Sequence, residues 1–258
     1  MDNTAGEHVI VSRLVTGDDR RSRFKNAFLP YDKTLGPLRQ STTIEASSIR
    51  FRAWPGDHTG TFGSKPAPTV ILVLEGVAKV ESARGESRSF TQGDVLDITA
   101  NDASDIGVRS ADGQPFRAAE ILLSTASSKT PDGAFRPKSE QTLPFVRNVT
   151  GDDNRSHFQD GTLPYFIEDD DSLVTEYIAI SRFQYVYAAS DLRYGFHNAP
   201  QRQIVLPLTG GTQGENSDGS RRIILAGGVY FGEDTTGEGH ITSAVNDAIR
   251  FSIFAHLV

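Results

Sequence analysis

The pattern of apolar and polar residues along the chain predicts β-strands separated by turns. Val70–Val80 (VILVLEGVAKV) and Tyr177–Ala188 (YIAISRFQYVYA) are rich in β-branched and aromatic residues, as are Ile44–Trp54 and Arg222–Phe231. Short runs of Asn, Asp, Ser and Gly lie between such segments, and Asn216–Gly219 is typical of a hairpin turn. No segment shows the long 3.6-residue apolar period of an amphipathic helix. The pattern therefore predicts an all-β fold.

An internal repeat divides the chain into two similar copies. With a shift of 134 residues, Arg13–Tyr31 (RLVTGDDRRSRFKNAFLPY) aligns with Arg147–Tyr165 (RNVTGDDNRSHFQDGTLPY). The same shift, without a gap, still pairs Val95 with Val229. Chance rarely keeps one register over so long a stretch, so the sequence predicts a duplicated domain.

The segment between the two copies has the composition of a linker. Ser124–Thr142 (STASSKTPDGAFRPKSEQT) is poor in apolar residues and contains two prolines. We therefore predict an N-terminal barrel over residues 1–125, a linker over residues 126–142 and a C-terminal barrel over residues 143–258. Many short strands with Gly-rich turns in about 130 residues favour a jelly roll for each copy, and we expect the two to pack about a pseudo-twofold axis.

Composition and charge limit the classes of function. The 258 residues include no Cys, which excludes disulfides and thiolate metal sites, so any metal must be held by His, Asp, Glu or Gln. A net charge of −7 argues against nucleic acid as a partner, because phosphate binding needs a basic surface. The chain shows neither a signal peptide nor an apolar run long enough to span a membrane. We expect a cytoplasmic protein that acts on a small molecule, either as a monomer or as a homodimer.

Two stretches of the second copy bring polar residues from different strands towards one point. Tyr194–Gly210 (YGFHNAPQRQIVLPLTG) carries His197 and Gln203, and Gly227–His240 (GGVYFGEDTTGEGH) ends in a second histidine. Because imidazole titrates near neutral pH, His197 and His240 are a candidate general acid and base, with Gln203 placed to orient a substrate or polarise a carbonyl. A lone histidine would more often be a packed barrel residue, but three polar residues in one region favour a shared site.

These residues resemble the metal-binding motifs of the cupin superfamily. The first cupin motif reads G-x5-H-x-H-x3,4-E-x6-G, and His197, Gln203 and Gly210 match it in frame, with Ala199 at the position of the second His. His240 matches the histidine of the second motif, G-x5-P-x-G-x2-H-x3-N, although the Pro-x-Gly is not kept. With its duplication, the whole chain resembles a bicupin with a degenerate metal motif.

The resemblance implies jelly-roll barrels and a metal held by three His and one Glu, with open positions for oxygen or substrate. Imidazole and carboxylate ligands suit Fe, Mn, Cu, Ni or Zn. In the second copy Ala199 and the neutral amide of Gln203 replace two of these ligands, so a metal-free pocket is favoured. A metal, if bound, would use His197, Gln203 and His240. The matching positions of the first copy hold no usual metal ligand, and we expect no metal there; they are Gly63, Lys65, Thr69 and Ile106.

Several other residues each allow two interpretations. Tyr185 and Tyr187 lie on one face of a strand, where they form either an aromatic wall for a substrate or part of the core. Arg50 and Arg52 of the first copy would either bind an anion or, more often, lie on a solvated face. The Val-Thr-Gly-Asp-Asp block occurs in both copies, so we interpret it as a structural turn.

Three hypotheses follow for the function. The first is an enzyme whose C-terminal barrel catalyses redox-neutral proton transfer (isomerisation, cyclisation or dehydration) on a ring-containing metabolite. The second is a metal-dependent bicupin dioxygenase that uses the same three residues as ligands. The third is a non-catalytic cupin that binds a sugar or another metabolite. The missing Glu and second His weigh against the second hypothesis, and the retention of two histidines in one copy weighs against the third.

Overall fold

The computed structural model describes residues 7–19, 21–62, 67–98, 106–124, 137–168 and 172–258. These residues form 23 β-strands and no helix, which confirms the prediction of an all-β fold. Within the same ranges no apolar helix reaches the length that crossing a bilayer would require.

The strands fall into two consecutive sets along the chain. The first set is β1 (His8–Thr16), β2 (Ser22–Pro30), β3 (Lys33–Leu35), β4 (Leu38–Gln40), β5 (Ile44–Trp54), β6 (Thr59–Thr61), β7 (Thr69–Glu75), β8 (Val77–Glu81), β9 (Ser87–Thr91), β10 (Val95–Ile98), β11 (Gly107–Ser110) and β12 (Phe116–Leu123). The second set is β13 (Lys138–Thr150), β14 (Ser156–Ile167), β15 (Leu173–Val174), β16 (Ile178–Ala188), β17 (Arg193–His197), β18 (Gln203–Pro207), β19 (Gly211–Asn216), β20 (Arg221–Leu225), β21 (Tyr230–Glu233), β22 (His240–Ala244) and β23 (Arg250–Leu257).

The second set repeats the first at the spacing seen in the sequence. Strands β5, β9 and β12 correspond to β16, β20 and β23, and both ends of each pair differ by 134 residues. The short β15 falls on the counterparts of the last two residues of β4. The duplication predicted from the sequence is therefore visible strand by strand in the fold.

One large sheet runs through both halves, and each half adds a smaller sheet. The large sheet has 15 strands in the order β2-β1-β10-β7-β12-β5-β15-β14-β13-β21-β18-β23-β16-β4-β3. The smaller sheets have the orders β6-β11-β8-β9 and β17-β22-β19-β20. Each half thus combines its part of the large sheet with one smaller sheet, and two sheets are the arrangement expected of a jelly roll.

The two halves are joined by the antiparallel pairing of β5 with β16. In this pairing Ile178 lies opposite Ile49, and Phe183 lies opposite Ile44. The repeat relates these two pairs to each other, because residue 178 is the counterpart of residue 44 and residue 183 that of residue 49, as a pseudo-twofold axis requires. Each half also lends a short strand to the other, since β4 pairs with β16 and β15 pairs with β5.

A hydrophobic core shared by both halves lies on one face of the large sheet. Side chains alternate between faces along a strand, so Val70 and Leu72 of β7 belong to this shared core, whereas Ile71 and Val73 belong to a core inside the first half. The second half has a separate core around Phe254. Apolar burial is the main stabilising term in folding, so the shared core ties the stability of each half to the other.

The predicted linker lies partly outside the described ranges, which resume at residue 137. From Lys138 onward the chain already forms β13, and Lys138 pairs with Phe166 of β14. The end of the predicted linker, residues 138–142, is therefore strand. Pairing satisfies the backbone N–H and C=O groups of this segment whatever its side chains are, which is why its polar composition did not indicate a strand.

The repeated Val-Thr-Gly-Asp-Asp block forms the same turn in both halves. The Gly17 N–H donates to the Arg21 carbonyl at 2.9 Å, and the Gly151 N–H donates to the Arg155 carbonyl at 2.8 Å. In the second half the Asp153 Oδ1 also accepts a hydrogen bond from the Arg155 N–H, at 3.1 Å. The prediction of a structural turn is confirmed, since a carboxylate that bonds the backbone two residues on stabilises such a turn.

Candidate functional site

A cavity of about 160 Å³ lies in the C-terminal half. Its polar lining includes Tyr194, His197, Gln203, Thr212, His240 and Arg250. Its apolar lining includes Leu35, Leu38, Val205 and Phe254. The structure therefore brings together the three residues that the sequence predicted as one site, His197, Gln203 and His240.

The two histidines meet because their strands pair directly. His197 ends β17, His240 begins β22, and the two residues are partners in the antiparallel register. Their ring centroids are 4.5 Å apart and their planes are inclined at 51°. Gly239 has a φ of 75°, and a Cβ at this position would collide with the main-chain oxygen of His197. A glycine immediately before His240 is thus what allows the two strands to approach.

Each imidazole holds its Nδ1 in a hydrogen bond. The His197 Nδ1–H donates to the Gly195 carbonyl at 2.7 Å, and because a carbonyl can only accept, the proton must be on Nδ1. The His240 Nδ1–H donates to the Asp234 Oδ2 at 2.5 Å. In their neutral forms both rings therefore keep the Nε2 lone pair for a ligand.

Asp234 organises the surroundings of His240. It is fully buried, and its Oδ2 also accepts a hydrogen bond from the Ser156 Oγ at 2.8 Å. Its main-chain oxygen accepts from the Ala199 N–H at 3.1 Å, which ties the loop after His197 to the same residue. The carboxylate fixes the orientation of the His240 ring and compensates a positive charge on it. Sequence reasoning missed Asp234, although it lies in the quoted EDTTGEGH run.

Burial lowers the pKa of His197 below its ordinary value, and the neighbouring His240 ring acts in the same direction. The hydrogen bond to the Gly195 carbonyl opposes this shift, because it stabilises the charged ring. The ring of Tyr194 stacks on His197, with centroids 3.8 Å apart and planes inclined at 11°. His197 is therefore a neutral imidazole at neutral pH, with an unprotonated Nε2.

Gln203 contributes a buried amide to the same cavity. It begins β18 and is only 6% exposed, and its Oε1 has no hydrogen-bond partner among the described residues. A buried carbonyl oxygen without a partner is unfavourable, and a hydroxyl or N–H group of a ligand would satisfy it.

Arg250 is the one arginine or lysine among the described residues that line the cavity, and sequence reasoning missed it. Its side chain donates from Nη1 to the Thr212 Oγ1, whereas its Nε has no partner among the described residues. Burial lowers the pKa of the Arg250 guanidinium to about 10, so it remains charged at neutral pH. The one available signal was a single charged residue at the start of an otherwise largely apolar strand, RFSIFAHL.

A segment of the N-terminal half covers the cavity. The hairpin of β3 and β4 supplies Leu35 and Leu38 to the lining. Gly36, at its tip, has a φ of 55°, and a Cβ there would lie 2.6 Å from Cζ of Tyr194. The hairpin therefore packs directly on the ring that stacks against His197.

Tyr185 and Tyr187 do not line this cavity. Tyr185 is 1% exposed, belongs to the core shared by the halves and stacks on Phe251 with ring centroids 5.9 Å apart. Tyr187 packs against the same core, with its ring 5.8 Å from that of Tyr31. Residues of β16 alternate between faces, and Val186 and Ala188 are the ones that belong to the core of the C-terminal half. The prediction of a substrate-binding aromatic wall is wrong, and the core interpretation holds.

The cavity residues do not fit the metal centre that the cupin resemblance implies. The donors are two imidazoles and one neutral amide, and the nearby carboxylate of Asp234 is bound by His240 and Ser156. Within the described ranges, no group of three or more His, Cys, Asp or Glu is arranged to hold a metal ion. Two imidazoles and an amide offer a dication no compensating charge, unlike the carboxylate-containing set of the family.

Arg50 and Arg52 of the N-terminal half are buried, contrary to the expected solvated face. Arg50 is 5% exposed and Arg52 is 4% exposed. The Arg50 guanidinium lies 2.7 Å from a carboxylate oxygen of Glu120 and 2.8 Å from one of Glu168, and Arg52 also pairs with Glu168. Buried charges require such partners, and Glu168 comes from the other half of the chain, which the local sequence could not reveal.

No protein-family model matches the chain, and no curated protein matches it. The solved structures similar to this chain include cupin-barrel proteins. A cupin 2 conserved barrel domain protein from Leptotrichia buccalis is 13% identical, with 86% of this chain and 88% of that chain covered and a TM-score of 0.44. A putative glyoxylate-induced protein from Pseudomonas aeruginosa is also 13% identical, with coverages of 88% and 84% and a TM-score of 0.44. A mutant of oxalate decarboxylase from Bacillus subtilis is 11% identical, with coverages of 85% and 72% and a TM-score of 0.35.

Likenesses at this level of identity say nothing about activity. The strand pairing and the repeat define the fold, and the chemistry of the site depends on its own side chains.

Proposed function

We propose that the C-terminal half is an enzyme that moves protons on a small, ring-sized metabolite without net oxidation or reduction. The observation that carries the proposal is the His197–His240 pair. The two rings are 4.5 Å apart, both engage their Nδ1 atoms in other hydrogen bonds, and both line one cavity. Such an arrangement supports acid–base chemistry at the two Nε2 atoms.

The two histidines have different surroundings, which gives them different roles. Burial keeps His197 neutral, so its Nε2 accepts a proton from the substrate. The Asp234 carboxylate accepts the His240 Nδ1–H, and this contact favours His240 for the role of the acid, which donates from Nε2. Two positively charged rings this close together would repel each other, which favours dividing the acid and base roles between them. Pairs of titratable groups in unlike environments commonly divide the acid and base roles in this way.

The proposed reaction balances without a further reactant. His197 takes a proton from a carbon next to a carbonyl, and the electrons of that C–H bond move towards the carbonyl. His240 delivers a proton to the carbonyl oxygen or to another atom of the same molecule. Where the oxygen takes the proton, the Gln203 Oε1 accepts a hydrogen bond from the resulting hydroxyl group. The net reaction is an isomerisation. It is a dehydration if the proton is delivered to a hydroxyl group, which then leaves as water.

The size of the cavity sets the size of the substrate. Its volume is about 160 Å³, and a cavity of about 150 Å³ is known to hold a benzene molecule. A single six-membered ring with small substituents fits this space.

The proposal is tested by hydrogen–deuterium exchange. The protein is incubated in D₂O with a panel of ring ketones that includes cyclohexanone, and exchange at the carbons next to the carbonyl is followed by NMR. We expect the protein to accelerate exchange on at least one member. His197→Gln and His240→Gln should each reduce the acceleration by about 10²–10⁴-fold, the usual contribution of a positioned acid or base.

His157→Gln is the matched control, because His157 is a partly exposed histidine that lies outside the cavity. It should leave the exchange rate unchanged. Exchange that survives the combined loss of His197 and His240 would contradict the proposed chemistry. Saturable ligand binding without any exchange would instead favour a non-catalytic metabolite-binding protein.

A metal-dependent dioxygenase is the second candidate, and one observation favours it. Histidines that bind metals commonly donate their other ring N–H to a carboxylate or carbonyl, as His197 and His240 do, and the Gln203 Oε1 has no partner. The test is metal content per chain by mass spectrometry on untagged protein, with His197→Ala/His240→Ala as control. Stoichiometric metal that disappears in the control would replace the acid–base proposal with this one.

A further inference from the structure

The starting observation is a buried cation without a carboxylate partner. Arg250 is 3% exposed, and its side chain bonds to one neutral group, the Thr212 hydroxyl. Within the described part of the chain, no carboxylate oxygen pairs with its guanidinium, and its Nε has no acceptor at all. Burying a charge is costly unless it is paired and hydrogen-bonded, so a residue of this kind calls for a partner.

The N-terminal half shows how this chain treats other buried arginines. Arg50 and Arg52 are buried to the same degree, and both pair with the carboxylates of Glu120 and Glu168. Those pairs fill space inside the protein. Arg250 instead lines a cavity, so its missing partner has room to be a ligand.

Arg250 and the histidine pair reach the cavity from different backbone levels of the same strands. The guanidinium bonds to Thr212, which pairs across strands with Ala244, whereas His240 is four residues earlier in the same strand. At the usual rise of a strand these levels are about 13 Å apart along the backbone. Val205 and Phe254 supply apolar lining to the same cavity.

We propose that the cavity takes a small ring-containing monocarboxylate, whose carboxylate binds Arg250 while its apolar body contacts Val205 and Phe254. A guanidinium presents N–H groups in a planar fork that matches the two oxygens of a carboxylate. The ring then extends towards His197 and His240. The inference rests on the proposed function in one respect, namely that this ligand is the substrate of the histidine pair.

The charge of the site favours a carboxylate over a phosphate group. Arg250 supplies one permanent positive charge, and a carboxylate supplies one negative charge. A phosphate monoester carries about two negative charges at neutral pH, and the cavity provides no second arginine or lysine among its described lining residues.

Isothermal titration calorimetry with matched probes tests the proposal. Benzoate and cyclohexanecarboxylate are the charged probes, benzamide and cyclohexanecarboxamide are their neutral counterparts of similar shape, and phenyl phosphate is the dianion. We expect the unmodified protein to bind a carboxylate about 100-fold or more tightly than the corresponding amide, the scale of losing one partner of a buried charge pair. Phenyl phosphate should bind more weakly than benzoate.

The variants are Arg250→Gln, which removes the charge, and Arg222→Gln, which removes a half-exposed arginine outside the cavity. Arg250→Gln should abolish the preference for carboxylates and leave amide binding unchanged, whereas Arg222→Gln should change neither. If Arg250→Gln does not fold, the comparison of carboxylates with amides on the unmodified protein still decides. Equal affinity for charged and neutral probes, or no saturable carboxylate binding, would overturn the proposal.

The failure of this proposal differs from the failure of the proposed function. His197→Gln/His240→Gln should lose proton exchange and still bind benzoate. If Arg250 does not select carboxylates while the histidines still catalyse exchange on neutral ketones, the anion site is wrong and the acid–base pair stands. If carboxylates bind through Arg250 and no exchange occurs, the anion site stands and the acid–base pair is wrong.

Discussion

The two halves share a strand order but fill their interiors differently. In the N-terminal half the rings of Trp54 and Phe116 stack with centroids 4.3 Å apart and planes inclined at 12°. The counterparts of these residues in the C-terminal half are Ala188 and Arg250. Protein interiors are closely packed, so replacing two stacked rings with a methyl group and a polar chain leaves space and places a charge beside it.

At two other pairs of corresponding positions the difference is the opposite one. The N-terminal half has charged residues there, and the C-terminal half has apolar residues. Glu120, which pairs with the buried Arg50, corresponds to Phe254 of the cavity lining, and Arg52 corresponds to Val186. Arg50 and Arg52 of one half are thus paired with carboxylates of the protein, whereas Arg250 of the other half has no carboxylate partner among the described residues. The comparison shows that changing a few inward-facing residues of a duplicated fold can replace a packed interior with a cavity lined by a charge.

The largest effect is expected from breaking the buried ion pairs of the N-terminal half. Glu120→Gln leaves Arg50 and Arg52 with less compensating charge inside the protein and should lower the free energy of unfolding by about 3–5 kcal/mol. Urea denaturation measures it. Glu215→Gln is the control, because Glu215 pairs with the exposed Arg221 and should cost less than about 1 kcal/mol. Equal losses in the two variants would mean that the buried network is not what supports this half.

The next effect concerns the core that both halves share. Ile49 and Phe183 are counterparts in the repeat, both fully buried in this core, and Ile49→Ala should cost about 2–5 kcal/mol. Because the core belongs to both halves, we expect one cooperative unfolding transition, lowered equally whether it is followed by the Trp54 fluorescence of the first half or by backbone circular dichroism. Two separate transitions would contradict the shared core.

A smaller effect is expected at the hairpin that covers the cavity. Gly36→Ala places a Cβ against Tyr194 at a positive φ and should cost about 1–3 kcal/mol and weaken benzoate binding. Gly85→Ala separates the effect of the positive φ from the effect of the contact with Tyr194. Gly85 also has a positive φ, 77°, but no atom lies within 4 Å of its Cβ position. If both variants lose the same stability and neither changes binding, the contact with Tyr194 is not important.

The smallest expected effect is on the pH dependence of stability, which should differ between the two halves. His157 donates to Asp153 and Asp218, at 2.8 and 3.0 Å, and its pKa is raised above the ordinary value, mainly by the bond to Asp153. A raised pKa means that the native state holds the proton more tightly than the unfolded state. The stabilisation by His157 is therefore complete below about pH 6.5, the pKa of a histidine in the unfolded chain. It is lost as the pH rises through the pKa of His157 in the folded protein.

The counterpart of His157 in the N-terminal half is Arg23, which does not titrate in this range. His157→Arg should therefore remove this part of the pH dependence, and His157→Gln should remove the stabilisation at low pH. Melting temperatures between pH 5.5 and 8.5 check both. A difference between the unmodified protein and His157→Gln that stays constant with pH would show that the histidine is not charged in the folded state.

The sequence by itself determined the all-β class, the duplication and the meeting of His197, Gln203 and His240. Strand patterns and turn residues depend on the local sequence, and the register of a repeat can be found by comparing the sequence with itself. The all-β class and the duplication could be predicted because neither depends on which distant segment packs against which. His197 and His240 are partners across two strands 43 residues apart, and their meeting could be predicted only because their positions resemble the cupin motifs.

Only the tertiary structure decided which way the side chains point and what surrounds them. Tyr185 lies in the shared core because β5 and β16 pair across the halves, a contact between residues far apart in the chain. The hairpin at Gly36 covers a cavity of the other half for the same reason. Asp234 likewise accepts a hydrogen bond from Ser156, which lies 78 residues earlier in the chain. Whether a buried charge has a partner depends on every segment folded around it, so the unpaired guanidinium of Arg250 became visible only once the chain was folded.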